Sequence, residues 1–171
     1  MDICAHFQHP SMNQVYLLIG GNIGDRLVNL ENARNSIAAS CGTILQASSI
    51  YETEAWGLKE QPAFYNQALC IKTELSPTEL LDTILQIEIS MGRKRLVPLG
   101  PRNIDIDIIY FAQHIVAIPG LIIPHPRLTE RNFVLAPLAE IAADFEHPIL
   151  KKTNSQLYQA STDPSVVYKK T

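Results

Sequence analysis

The sequence has little that would tie it to a membrane, a disulfide framework or a nucleic acid. Its 171 residues hold three cysteines, Cys4, Cys41 and Cys70. That odd, widely spaced set matches neither a zinc pattern nor paired disulfides and fits a reducing compartment. No apolar run is long. The stretch at residues 15–19 is too short for a membrane span and lacks the basic flank of a signal peptide, so a cytoplasmic protein without membrane partners is expected. Neither sign of charge is in large excess: 14 Lys and Arg stand against 17 Asp and Glu, a formal net charge of −3. Such a chain has no global pull toward nucleic acid, and any phosphate binding must come from a local cluster. Trp56 is the only tryptophan. No internal repeat, low-complexity tract or linker argues for a second domain.

What is present is a 46% apolar chain, long enough to bury one continuous core. Residues 1–14 lack periodicity and read as a poorly ordered lead-in, with Met12 a second candidate start, so residues 15–171 form the expected single domain. Residues 15–20 read as a buried strand ending in Gly20-Gly21-Asn22, which permits a sharp turn. Asp25 is placed to cap a helix carrying Leu27, Leu30, Ala33 and Ile37 at helical spacing, with Gly42 as its stop. Residues 43–51 and 66–73 read as strands separated by a long polar connection, and connections of that length are often functional. Ser76, Pro77 and Glu79 form a capping-box signature for a second helix through Leu80, Leu81, Ile84, Leu85, Glu88 and Met91, stopped by Gly92. A basic loop, residues 93–102, leads into a strand over 104–111. The order strand, helix, strand, strand, helix, strand predicts an α+β ferredoxin-like βαββαβ sandwich. An extra short strand at 114–118 and a helical pattern at 132–143, interrupted by Pro137, extend it toward the C-terminus. The region after His147 is more polar and has no clear pattern.

The strongest chemical signal is Gly-Pro-Arg-Asn-Ile-Asp-Ile-Asp-Ile at residues 100–108. Side chains alternate along a strand, so Asp105 and Asp107 share one face while Ile104, Ile106 and Ile108 share the other. Paired carboxylates on one face repel, and a hard cation with oxygen ligands relieves the conflict; Mg²⁺ commonly takes one or two carboxylates and fills its octahedron with water and substrate phosphate. The competing interpretation is a strand with a wet, acidic outer face, which a bare Asp-x-Asp favours. The surroundings tip the balance, because Arg93, Arg95, Arg102 and Arg131 supply guanidinium groups suited to a triphosphate.

With those motifs in view, the sequence resembles the 6-hydroxymethyl-7,8-dihydropterin pyrophosphokinases. The resemblance runs from residue 15 to about residue 143. Its most specific piece is Gly-Pro-Arg-x-x-Asp-x-Asp at residues 100–107, followed by Pro124-His125-Pro126-Arg127 and Arg131-x-Phe133. Weaker pieces are Gly20 to Arg26, Tyr51-Glu52-Thr53, Gln61-Pro62-x-Phe64-Tyr65-Asn66 and Glu88-x-x-x-Gly92-Arg93. The resemblance implies transfer of a pyrophosphoryl group from ATP to the pterin hydroxymethyl oxygen, with AMP leaving, in folate synthesis. It implies two Mg²⁺ ions on Asp105 and Asp107, phosphate contacts from Arg93, Arg95, Arg102, His125 and Arg131, and Glu88 and Ile108 near the nucleotide. It also implies a pterin stacked between Phe64 and Phe133, its edge bonded by Asn66 and the segment Thr53, Glu54, Ala55 and Trp56. Without the resemblance, Phe64 and Phe133 would read as core aromatics and His125 as a loop histidine.

The chain departs from the family pattern at Gly21, where relatives usually have Ser, and in lacking the proline common after Thr53. Leu99 stands where many relatives carry Trp, and the basic loop before Gly100 is short. From these departures we expect Trp56 and Leu99 to exchange the bulky role in a closing lid. The enzyme is expected to act as a monomer on small molecules. A non-catalytic sensor on the same fold and a nucleic-acid module are the rival readings; the first has no need of two metal-facing carboxylates, and the second lacks a basic surface with aromatic platforms.

Overall fold

The computed structural model describes residues 12–55, 60–93 and 100–170. Strand β1, Asn13–Gly21, starts two residues before the apolar pattern does, inside the expected lead-in. Its partner reaches far enough to pair Asn13 with Thr73 and Gln14 with Lys72. Gln14 is held further by donating to Tyr16 Oη and Cys70 Sγ, at 2.7 and 3.3 Å. Residues 1–11 of the expected lead-in lie outside the described residues.

Helix α1, Arg26–Ser40, is capped as expected: the Asp25 carboxylate accepts from the Val28 N–H, and Leu30, Ala33 and Ile37 are buried. Leu27, the first residue of the expected stripe, is exposed, so the apolar face engages the core one turn later. The single strand expected over 43–51 is two, β2 at Thr43–Ala47 and β3 at Tyr51–Thr53. Ser48 divides them. Its hydroxyl accepts from the Ala68 N–H and its carbonyl from Gln67 Nε2, which turns the chain so that β3 re-pairs further along β4, Phe64–Thr73. A side-chain bond replacing one ladder bond is a competition between Ser and the backbone that a period-2 pattern does not reveal.

Helix α2, Pro77–Ser90, carries the full capping box: Ser76 Oγ accepts from the Glu79 N–H and the Glu79 carboxylate accepts from the Ser76 N–H. Strand β5, Asp105–Phe111, follows. The short strand expected at 114–118 is β6, Val116–Ile118, one arm of a hairpin with β7, Leu121–Ile123. One 3-10 turn, Leu128–Glu130, leads into α3, Asn132–Ile141, which runs through Pro137 rather than stopping there. The unpatterned C-terminal region forms α4, Asn154–Gln159, capped by Thr153, and β8, Val167–Lys169.

The main sheet runs β5-β1-β4-β3-β8, with β2 also paired to β4 and every pairing antiparallel. This is the ferredoxin-like arrangement, extended at one edge by β8. Val15, Leu17 and Ile19 of β1 pack with Leu30, Ile37, Leu80 and Ile84 of α1 and α2. Tyr16 and Leu18 pack on the opposite face with Val134, Leu135 and Leu138 of α3 and Leu157 of α4. Helices therefore cover both faces. Among the described residues no helix is long and apolar enough to cross a membrane.

One irregularity matters for the site. Tyr16 pairs with Tyr110 but Leu17 pairs with Ile108, so Ile109 is an extra, bulged residue in β5. A bulge frees backbone groups from the ladder. Here the Ile109 carbonyl accepts from the His125 N–H at 3.0 Å, fixing the segment after β7 against the sheet edge.

Candidate active site

Asp105 and Asp107 stand opposite Gly20 and Leu18 of β1, and Gly20 in turn stands opposite Asn66 of β4. Directly paired residues point to the same face, so both carboxylates and the Asn66 amide share the face covered by α3. Gly20 makes this possible: a Cβ there would collide with Asn66 Oδ1. Ile106 and Ile108 lie on the other face, in the core beneath α1 and α2.

Both oxygens of Asp105 meet guanidinium groups. Arg93 Nη1 lies 2.7 Å from Oδ1, and Arg102 Nε lies 2.7 Å from Oδ2. Arg93 also pairs with Glu88, which is buried and accepts from the Ile106 N–H at 2.8 Å, satisfying a backbone donor on the edge strand. The end of α2 sets this up. Gly92, at φ +81°, reverses the chain so that the Arg93 N–H returns to the Glu88 carbonyl, a reversal that favours glycine. Burial raises the Glu88 pKa, against the backbone bond and the Arg93 charge.

Asp107 is the perturbed acid. Burial first, and then the charge of Asp105, push its pKa up to about 7, against the pull of Arg131 and Arg102. His125 moves the other way: burial and the neighbouring Arg131 lower its pKa to about 4. Its Nδ1 accepts from the Arg127 N–H at 3.1 Å, which assigns the proton of the neutral ring to Nε2.

Two clefts meet at the acid pair. The first, about 400 Å³, is lined by Thr53, Glu54, Phe64, Asn66, Arg102, Arg131 and Phe133. Thr53 and Asn66 are buried and bonded to each other, Nδ2 to Oγ1, at 3.2 Å. Arg102 lies 4.8 Å from the Phe64 ring centroid and Arg131 5.5 Å from that of Phe133. The second is an open groove of about 1120 Å³ along the edge of β5, between α2 and the β6–β7 hairpin; Glu88, Arg93, Asp105, Asp107, Ile108 and His125 line it. A small hollow holding Gly20, both aspartates, Arg102 and both phenylalanines joins them. The first cleft is the smaller and the groove the larger and more open, which suits a small ring in the one and a polyanion in the other.

Thirteen of the expected site residues thus line the two clefts. Ala55 is buried and lines neither. Arg95, Trp56 and the Trp56–Leu99 lid lie outside the described residues. The residue that sequence reasoning passed over is Asn22. Its Oδ1 accepts from the Arg102 N–H at 2.9 Å, its own N–H donates to the Arg102 carbonyl, and its Nδ2 donates to Gln61 Oε1 and the Pro62 carbonyl, each at 3.0 Å. One buried amide therefore ties the phosphate-side loop to the connection after β3. An Asn directly after two glycines was its only trace in the sequence. The departure at Gly21 belongs to the same corner: a Cβ there would collide with the Asn103 carbonyl, so residues 102–103 sit closer to β1 than a Ser would permit.

The model of the 7,8-dihydro-6-hydroxymethylpterin-pyrophosphokinase family matches residues 16–143. The chain belongs to this family. It is 46% identical over 135 residues to the 2-amino-4-hydroxy-6-hydroxymethyldihydropteridine pyrophosphokinase of Bacillus subtilis, covering 78% of this chain and 81% of the relative. It is 36% identical over 152 residues to folic acid synthesis protein fol1 of Pneumocystis carinii, covering 89% of this chain but 20% of that protein. The Dictyostelium discoideum relative of the same description is 43% identical and covered to 22%, so the chain spans about a fifth of the length of these two. The fold is similar to Plasmodium falciparum HPPK-DHPS solved with pterin and p-hydroxybenzoate, at a TM-score of 0.72 and 19% identity over 89% of this chain and 43% of that one.

Proposed function

We propose that the chain transfers the pyrophosphoryl group of ATP to 6-hydroxymethyl-7,8-dihydropterin, giving the pterin diphosphate and AMP in folate biosynthesis. The observation that carries this reading is the position of Asp105 and Asp107 at the junction of a small aromatic-walled cleft and a larger groove with basic side chains. Transfer between two bound molecules needs its charge-handling groups where the two meet.

The donor set fits Mg²⁺. Two carboxylates share one face, the repulsion between them contributes to the raised Asp107 pKa, and among the described residues no three acids, histidines or cysteines group into a denser metal cage. A small hard cation that completes its shell with water and phosphate suits such a pair. Asp105 and Asp107 would hold two such ions, which when bound supply charge neutralisation on the phosphates. The protein's own groups do the positioning. Phe64 and Phe133 stack the ring, Asn66 and the Thr53–Glu54 backbone bond its edge, and the hydroxymethyl oxygen faces the junction. The oxygen attacks the β-phosphorus, the bond to the AMP oxygen breaks, and the hydroxyl proton is released to water. Arg93, Arg102 and Arg131, with Arg95, balance the charge on the moving group. His125, neutral, donates from Nε2 without adding charge. Glu88 and Ile108 line the nucleotide end of the groove. Catalysis then rests on alignment and preorganised charge.

The free, buried thiols of Cys41 and Cys70 suit a reducing compartment, and we assign the enzyme to the cytoplasm as a monomer. Identifying the nucleotide product by mass tests the function: AMP should form when the pterin is present and not without it, whereas ADP would indicate ordinary phosphoryl transfer.

A further inference from the structure

Helix α3 begins at the site, and it begins without a cap of its own. Its N-cap position is held by Arg131, whose side chain makes no capping bond, because a guanidinium has no acceptor to offer the helix N–H groups; it lies instead among Asp107, Phe133 and the ring cleft. The first N–H groups of a helix need acceptors, and a missing cap loosens the first turn. That turn carries Phe133. The acceptor comes from 31 residues downstream: Asp163 Oδ2 accepts from the Asn132 N–H at 2.7 Å, and the Asp163 and Ser165 carbonyls accept from Asn132 Nδ2 at 2.8 and 3.2 Å. Asp163 Oδ1 accepts from the Ser165 N–H at 2.9 Å, which holds the carboxylate in place.

Four residues after Asp163, the same segment becomes β8 and pairs with β3, Val167 opposite Thr53 and Tyr168 opposite Glu52. Lys170 N–H closes the pairing on the Ile50 carbonyl at 2.8 Å. Thr53 and Glu54 form one wall of the ring cleft and Phe133 with Arg131 another. Residues 163–170 therefore span the two walls, bonded to each.

We propose that this segment is a strap that sets the width of the ring cleft, and that Asp163 is a positioning residue for Phe133, acting as a remote helix cap in place of the one that Arg131 cannot provide. The proposal rests on the function assigned above, since it concerns the cleft assigned to the pterin. Its signature is selectivity: loosening the cap should disturb the ring and leave the nucleotide groove, built from α2, β5 and the β6–β7 hairpin, largely as it was.

The test is calorimetric titration of the full chain with 6-hydroxymethylpterin and, separately, with a non-hydrolysable ATP analogue and Mg²⁺. Asp163→Ala is expected to raise the pterin Kd roughly tenfold, the scale of a lost helix cap, with the nucleotide Kd changed less than about twofold. Asp163→Asn, which keeps one oxygen for the Asn132 N–H, should recover most of the affinity and can be read alone if Asp163→Ala does not fold. Glu79→Ala is the control: Glu79 closes the capping box at the start of α2, away from the strap and the ring cleft, so its loss should lower thermal stability and leave pterin affinity unaltered. An unchanged pterin Kd in Asp163→Ala would overturn the proposal. So would equal losses for both ligands, or an equal pterin loss in Glu79→Ala, since either marks general destabilisation. Absence of pterin binding by the unmutated chain would overturn the assigned function and this role together.

Discussion

Arg102 Nε lies 2.7 Å from Asp105 Oδ2, on an oxygen that a metal ion would need. With Arg93 on the other oxygen, Asp105 is neutralised by arginine in the ligand-free chain, and Mg²⁺ must compete for it. Once a triphosphate enters the groove, both guanidinium groups gain a better partner, because charge-assisted pairing with phosphate can be bidentate. Arg102→Ala is therefore expected to tighten Mg²⁺ binding in the absence of nucleotide while lowering turnover, by about a hundredfold if the group acts on charge developing in the transition state. Metal titration by calorimetry and steady-state kinetics read the two effects separately. Weaker Mg²⁺ binding in the variant would refute the competition.

Asp105→Ala and Asp107→Ala should each lower turnover by at least about a hundredfold with the fold retained, since each removes a cation-holding group rather than core packing. Circular dichroism checks the fold and a coupled AMP assay the rate. Near-normal turnover in either variant would exclude the metal platform.

The raised pKa of Asp107 carries a sign. A carboxyl whose folded pKa is about 7, against an ordinary 3.8, contributes stability that is complete at acid pH and lost as pH rises through about 7. His125 works in the opposite sense: lowered from 6.5 to about 4, it contributes stability above its ordinary value that is lost as pH falls. The difference between the wild-type chain and Asp107→Asn isolates the first effect, because His125 is common to both. In metal-free buffer, Asp107→Asn should gain melting temperature relative to wild type as pH rises from 5 to 8. A difference that stays constant with pH would contradict the assigned shift.

Phe64→Ala and Phe133→Ala should weaken pterin binding more than nucleotide binding, by roughly 1 to 3 kcal/mol, the range for base-like rings on aromatic platforms. Calorimetry with each ligand separates this from general destabilisation, which would weaken both alike.

Asn22→Ala removes an amide that serves both Arg102 and the Gln61–Pro62 segment. It leaves the Arg102 N–H without that acceptor, a cost of about 1 to 3 kcal/mol for a donor cut off from water, while the exposed Pro62 carbonyl can turn to solvent. The melting temperature should fall, and turnover should fall further than the fraction unfolded accounts for. Full activity at a temperature where the variant is folded would confine Asn22 to stability.

The parts of this site that depend on local periodicity were legible in the sequence. Asp105 and Asp107 share a face because strand side chains alternate, and Ser76, Glu79 and Gly92 mark α2 by capping chemistry that acts within a few residues. What stayed hidden depends on partners far along the chain. The bulge at Ile109 arises only against β1, and it is what gives the His125 N–H its acceptor. Ser48 breaks the strand expected over 43–51 by bonding β4 through its side chain. Asp163 caps a helix that starts 31 residues earlier, and the polar stretch containing it has no periodicity to betray the role. Leu27 shows the converse error, a residue at the right helical spacing that has no core to meet.

The central claim, transfer of a pyrophosphoryl group between the two clefts, is tested most directly by following ATP labelled with phosphorus-32 at the β position. With pterin and Mg²⁺ present, the label should pass to the pterin product while unlabelled AMP accumulates in equal amount, and Asp107→Ala should abolish both. Label retained in ADP, or released as free pyrophosphate while the pterin stays unmodified, would contradict the account.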